Sequence, residues 1–436
     1  MNIRLDYGRD GLPLRLGDDL DISLVEPRKG APLSDPAGAV LSAVRAPIGR
    51  QPLGEIARGR RNACVVISDK TRPVPYRTVL PVLLRELEAA GLASAAVEIL
   101  VATGLHRANT RDELVEMLGG DIVDGCGIRN HDARDAAAHR LLETTARGTE
   151  VWIDTGFLDA DLKILTGLIE PHLMAGFSGG RKAIAPGLAA VATMRSLHGA
   201  VMLEGNIGPG ILDGNPFHDE LLGIARRVRP DLLVDVTIDR QRRLTGVFAG
   251  DIEQAHAAGV AFLEPHVHVA LERPADIVIT SAGGYPLDDT LYQAVKGLTA
   301  SLNIVRHGGT IILAAALGEG LGSADFQKLL LATRSADDFM QRVTADGFFA
   351  IDQWMMQHLC QVLRKAEVTI VSDRLAAADR QRLFLPTETR IDAALERALQ
   401  RHGHAAHIAV VPQGPYVLST VQGRRLALGK AWQDAA

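Results

Sequence analysis

Ala63-Cys-Val-Val-Ile-Ser68, then Tyr76-Arg-Thr-Val-Leu-Pro-Val-Leu-Leu-Arg-Glu-Leu-Glu-Ala-Ala90, then Val97-Glu-Ile-Leu-Val101, is the stretch that decides the fold. The first run is apolar without interruption, as a strand covered on both faces requires. In the second, Val79, Leu80, Leu83, Leu84 and Leu87 share one helical face. The third is again strand-like. A strand, an amphipathic helix and a strand in that order predict a parallel sheet with helices packed on it.

The same alternation continues outward. A helix is predicted over 110–118, capped by Thr110 with Glu113 three residues on. Strands follow over 151–154 and 162–166, and helices over 192–203 and 218–228. A second unit begins near Pro274, with a strand over 276–280, a long helix over 288–305 and a strand over 310–316. Helices over 325–332, 337–344 and 351–365 come next. Two further strands, 368–372 and 408–411, flank a helix over 390–401. The expected fold class is α/β, with two α/β domains of largely parallel sheets and an active site in the cleft between them. The division falls in the proline-bounded stretch 264–274, giving domains 1–270 and a smaller 271–436. A return of the last ~20 residues to the first domain is left open.

Composition limits the function classes. At 436 residues the chain is too long for one ordinary core. Its 47 Lys and Arg and 52 Asp and Glu are scattered, with a net charge of −5, which argues against an extended nucleic-acid footprint. No apolar run approaches the roughly 20 residues that span a bilayer. The start, Met1-Asn-Ile-Arg-Leu-Asp-Tyr-Gly, lacks the regions of a signal peptide. Cys64, Cys126 and Cys360 are odd in number and far apart, without a Cys-x-x-Cys pair. Reduced cytoplasmic thiols are expected, and neither a disulfide framework nor a thiolate zinc site.

Four segments carry chemistry. Ser68-Asp-Lys-Thr-Arg-Pro73 follows the first buried strand, where open α/β sheets bind ligands. Arg72 there is a fork for a carboxylate or phosphate, or else, with Asp69, a local ion pair opening the next helix. Gly104-Leu-His-Arg107 takes the equivalent place after the next strand, with His106 as a base or a plain loop residue. His172-Leu-Met-Ala-Gly-Phe-Ser-Gly-Gly-Arg-Lys182 sets an imidazole and an amine at the two ends of a glycine turn, with His198 further on. It is not an ATPase phosphate loop, because Arg181-Lys182-Ala183 replaces the required Gly-Lys-Ser/Thr. Finally, Gln293 and Lys296 share a helix face in Tyr292-Gln-Ala-Val-Lys296.

Two tempting motifs are set aside. Gly318-Glu-Gly-Leu-Gly322-Ser323 has its third glycine one place early for a dinucleotide fingerprint and reads as a strand-to-helix turn. His266-Val-His268 would share a strand face but has no third metal ligand nearby.

Taken in order, these segments, with His198, Glu319-Gly-Leu-Gly322 and Trp354, resemble the nickel-dependent lactate racemase family over most of the chain. The resemblance implies a nickel-pincer nucleotide cofactor joined to Lys182 by a thioamide, with His198 as the protein ligand to nickel. One imidazole beside soft sulfur donors suits Ni(II) in a square-planar field. It implies His106 and His172 as the two acid/base groups. Arg72, Gln293 and Lys296 match groups near the substrate carboxylate or the cofactor. Asp69 matches a cofactor-side position that orients one of these side chains. Ser178, Tyr292 and Trp354 match further positions of the cofactor pocket. Separate maturation proteins are implied as partners, with no nucleic acid and no membrane.

The chemistry accounts for such parts. The C2 hydrogen of a 2-hydroxy acid is weakly acidic, so two bases alone face a large barrier. Hydride removal gives a planar 2-keto acid instead, which can rotate and take hydride back on its other face. On this expectation one of His106 and His172 takes the hydroxyl proton, and the other serves the opposite enantiomer. Larger or more polar 2-hydroxy acids are allowed as substrates. The alternatives are a nicotinamide-dependent 2-hydroxy acid dehydrogenase and a non-catalytic sensor of hydroxy acids or nucleotides.

Overall fold

The computed structural model describes residues 1–427 apart from 29, 204 and 346. It contains two six-stranded sheets. Across the first, the order is Leu244–Gly250, Leu232–Ile238, Leu162–Leu168, Ala63–Ser68, Val97–Ala102, Gly127–Asn130. All neighbours are parallel except the Leu244–Gly250 edge strand, which returns antiparallel on Leu232–Ile238. The second sheet is parallel throughout, in the order Thr387–Glu388, Ala366–Val371, Val305–Ala314, Ala275–Ser281, His407–Val411, Asp21–Leu24.

The deciding stretch folds as its pattern dictates. Ala63 to Ile67 are all buried. The Tyr76–Ala89 helix buries Val79, Leu80, Leu83 and Leu87 against the sheet. The Arg111–Leu118 helix carries a complete capping box from Thr110 and Glu113.

Three elements differ from the sequence reading. The helix expected over 288–305 is a short turn, Leu287–Asp289, then a helix, Leu291–Ser301, and the strand already begins at Val305. Buried Asp288 causes the first break, because its carboxylate accepts from Gly8 N at 2.7 Å and Ala316 N at 3.0 Å. The helix expected over 192–203 divides at His198-Gly199 into Val191–Leu197 and Ala200–Leu203, where glycine weakens helical continuity. The strand expected over 151–154 is Glu150–Asp154. It pairs antiparallel with His139–Thr144 in a separate ribbon, not in the sheet.

The chain ends cross between the sheets. Asn2–Leu5 and Leu12–Arg15 form a hairpin whose Ile3, Leu5 and Leu14 pack with Ile277, Ile312 and Ile408 of the second sheet. Near the other end, Leu418–Val421 pairs with His268–Leu271, and Arg425 donates to Gly210 O at 2.6 Å. Part of the tail whose return was left open, 428–436, lies outside the described residues. We propose that the functional division falls near residue 270, with the first 25 residues docked on the far sheet.

Candidate active site

Segments from both units converge on one cavity of about 160 Å³. The loop after Ala63–Ser68 brings Asp69 and Arg72, and the loop after Val97–Ala102 brings His106. The Leu162–Leu168 strand runs into the loop bearing His172, Ser178 and Lys182. His198 sits where the broken helix ends. Tyr292, Gln293 and Lys296 come from the Leu291–Ser301 helix, and Trp354 from the Gln353–Lys365 helix. The acid/base, cofactor and substrate candidates expected from sequence therefore border the same space, while His266, His268 and Glu319 do not.

An ordered chain of hydrogen bonds crosses the cavity. His106 Nδ1 donates to Asp69 Oδ2 at 2.5 Å. Asp69 Oδ1 accepts from Thr71 N at 3.0 Å and Thr71 Oγ1 at 2.6 Å. Burial alone would raise the Asp69 carboxyl, but the His106 imidazole, Thr71 and the Arg72 charge together bring it down to about 2. On the other ring nitrogen, Gln293 Nε2 donates to His106 Nε2 at 3.2 Å. Lys296 Nζ donates to Gln293 Oε1. A carboxylate cannot donate, so Asp69 places the His106 proton on Nδ1, and the Gln293 amide turns its NH2 to Nε2. His106 therefore presents a lone pair at Nε2.

The cationic groups differ in their engagement. Arg72 Nε pairs with Glu170 Oε1 at 2.9 Å. Burial pushes the Glu170 carboxyl up against the pull of Arg72 and Lys296, and its Oε2 has no hydrogen-bond partner among the described residues. The Lys182 amine is pushed well below its usual range by burial, then by the Arg72, Arg181 and Lys296 charges. Its Nζ lies 5.9 Å from the Phe217 ring centre. A neutral, desolvated amine is the form that can act as a nucleophile.

His198 is buried and brought down to about 3 by burial and by Lys182, so its imidazole is neutral. Its Nδ1 has no hydrogen-bond partner among the described residues. Trp354 and Phe217 flank the ring at 4.5 and 5.4 Å. Trp354 Nε1 donates to Tyr292 Oη at 3.0 Å, which ties these two walls together. Among the described residues no three His, Cys, Asp or Glu side chains gather as a metal site. A metal on His198 would take its other donors from outside the protein.

Some roles are not legible in the sequence. The Ser178 hydroxyl is occupied by backbone, donating to Leu168 O at 2.6 Å and accepting from Glu170 N at 3.0 Å. It pins the strand end to the glycine loop. Glu170 has no sequence signal beyond its place in Glu170-Pro-His172. Glu319, from the second unit, pairs with Lys70 at 2.8 Å and Arg107 at 3.3 Å, beside the two catalytic-side loops. The Gly318–Ser323 segment is a strand-to-helix turn, with Ser323 capping Ala324–Ala332. His266 lies in the last turn of the Gln254–Val267 helix and His268 opens the following strand, so the two do not share a strand face.

Comparisons with known proteins bear on the family and the fold. Residues 7–209 match the family described as lactate racemase N-terminal domain, and 270–419 match the lactate racemase C-terminal domain. A lactate racemase of Thermoanaerobacterium thermosaccharolyticum is 34% identical over 422 residues, covering 96% of this chain and 99% of that relative. A lactate racemase of Lactiplantibacillus plantarum is 36% identical over 372 residues, covering 84% and 87%. The solved lactate racemase apoprotein from T. thermosaccharolyticum superposes with a TM-score of 0.89 at 33% identity, covering 96% of this chain and all of that one. A Thermotoga maritima protein shares the fold alone, with a TM-score of 0.70 at 16% identity over 90% of this chain and 99% of that one.

Proposed function

The chain belongs to the lactate racemase family, and from that premise we propose that it is an isomerase inverting C2 of lactate or a related 2-hydroxy acid. The observation that carries the reading is one cavity holding an Asp69-oriented His106, a buried Lys182 amine pushed well below its usual range and a buried His198 whose Nδ1 has no hydrogen-bond partner among the described residues. The proposed cofactor is a nickel-pincer nucleotide. The residues fit it: Lys182 offers the amine for covalent attachment, His198 offers a neutral imidazole for nickel, and Tyr292 and Trp354 wall the space. When bound, such a group accepts and returns hydride at C2.

The protein's own residues do the rest. Arg72, oriented by Glu170, and Lys296, oriented by Gln293, bind the substrate carboxylate. His106 Nε2 takes the hydroxyl proton, and Asp69 balances the imidazolium that forms. His172 faces the substrate from the opposite loop and is the second acid/base candidate. Domain closure excludes water, and separate maturation proteins supply the cofactor. None of the helices among the described residues is long and apolar enough to cross a membrane.

The test is isotopic. Lactate labelled with deuterium at C2 should racemise with the label largely retained, because the hydrogen leaves and returns as hydride. Complete exchange with solvent would overturn this mechanism.

Glu319 gives a second expected result. It is 45% exposed, so each of its ion pairs contributes only about 0–1 kcal/mol. Glu319→Gln should raise KM by about 2–5-fold with a smaller change in kcat, since about 1 kcal/mol is roughly fivefold. Added salt should raise the wild-type KM toward that of the variant. A wild-type KM insensitive to salt would remove Glu319 from closure.

A further inference from the structure

Of the three imidazoles that line the cavity, His106 and His172 are held in opposite tautomers. Pro171 and His172 pair with Phe177 and Gly176 in a two-residue ribbon. Across its turn, His172 Nδ1 accepts from Met174 N at 3.1 Å and from Ala175 N at 3.1 Å. A ring nitrogen approached by two N–H groups has its lone pair occupied and carries no hydrogen. The single proton of the neutral ring is then on Nε2.

The other states are opposed by the surroundings. Turning the ring over would aim both amides at a carbon and leave two buried donors unpaired. Adding a proton at Nδ1 would crowd three N–H groups together. Burial, with the Lys182, Arg72, Lys296 and Arg181 charges, also holds the imidazole well below its usual range, so the neutral form prevails.

The turn itself is clamped from behind. Arg181 is 1% exposed. Its Nη2 donates to Ala175 O at 2.7 Å and Phe177 O at 3.3 Å, and its Nη1 meets His256 Nε2 at 2.9 Å. Gly176 takes a φ of +74°, and a Cβ there would stand 2.4 Å from Ile211 O, so the turn has no room to shift on that side.

We propose that this turn, with Arg181 as its positioning residue, locks His172 as an Nε2–H donor. At rest His106 then accepts at Nε2, from the Gln293 amide that a substrate hydroxyl must displace, and His172 donates from its Nε2. The functional consequence rests on the racemase reading. A hydroxyl facing His106 can give its proton to Nε2, the O–H bond pair staying on oxygen. An oxygen facing His172 meets an N–H instead. His172 can accept a proton at Nε2 only after the ring's own proton has left Nε2 and one has been taken up at Nδ1, with the turn releasing both amides. Lactate enantiomers have equal free energy, so kcat/KM must be the same in the two directions and cannot reveal this asymmetry. The tautomer can.

The experiment is ¹⁵N NMR of the full chain labelled at histidine, with His172→Gln used to assign the His172 signals. The expected spectrum has His172 Nδ1 unprotonated and Nε2 protonated, unchanged across neutral pH. An unprotonated Nε2, or a His172 that titrates near neutrality, would overturn the lock. Arg181→Met should shift His172 toward a mixture of tautomers, and Arg181→Lys should restore part of the Nε2–H form. A folded Arg181→Met protein with an unchanged spectrum removes Arg181 from the proposal, and the wild-type spectrum decides the lock even where that variant does not fold. Neither substrate nor cofactor is needed, so failure here is separate from failure of deuterium retention.

Discussion

Lys182→Ala protein is expected to have no turnover above background, a fall of at least about 10,000-fold, because all of the chemistry-bearing cofactor is lost. Lys182 is buried, its amine is held well below its usual range, and it shares the cavity with His198. Lys296 is also buried, but its Nζ is spent on Gln293 Oε1. Lys182→Arg should fail equally, because a guanidinium does not deprotonate and cannot be acylated. The check is intact mass and nickel content of protein made alongside its maturation proteins. Wild type should carry an adduct on Lys182 with bound nickel, and both substitutions should remove both. His198→Ala should keep the adduct and lose nickel retention. Active protein with an unmodified Lys182 would defeat the cofactor assignment.

How far the sequence could be read follows from what each signal encodes. The Ala63–Ser68 strand is buried on both faces, so it stands out as an apolar run. The Leu232–Ile238 strand is equally buried but interrupted by Asp235, and it was not legible. That carboxyl accepts from Gly180 N at 2.9 Å, so the residue that hides the strand also holds the glycine loop. Asp21–Leu24 has no pattern of its own and becomes a strand only by pairing with His407–Val411, nearly the whole chain away.

The site divides in the same way. Positions at the carboxyl ends of strands were legible, because the α/β layering fixes where such loops gather. Their pairings were not. Arg72 with Glu170, Gln293 between Lys296 and His106, and Glu319 across two loops all depend on how two units dock. Docking leaves no periodicity in either segment. The resemblance supplied names for the parts, and the hydrogen bonds supply their direction.

Asp69→Asn should lower kcat by about 1,000-fold, within the range of about 100- to 10,000-fold that general acid–base catalysis contributes. KM and cofactor content should change little. Asparagine keeps the shape and can still accept from His106 Nδ1, but it can also present its NH2 and so favour the wrong tautomer. It also removes the charge that balances His106 once the hydroxyl proton has arrived. The same substitution has a signature in stability. The Asp69 carboxyl lies at about 2 in the folded protein against an ordinary 3.8. A depressed carboxyl stabilises the folded state above its unfolded value and loses that contribution as pH falls through its folded value. The shift corresponds to about 2 kcal/mol. The stability advantage of wild type over Asp69→Asn should therefore be constant near neutrality and disappear between about pH 4 and pH 2. Urea unfolding of both proteins across that window checks it. An advantage that persists unchanged at pH 2 would mean that packing, not the charge on Asp69, is what the substitution removes. A kcat loss without a pH-dependent stability difference would place the carboxylate's influence in the reaction alone.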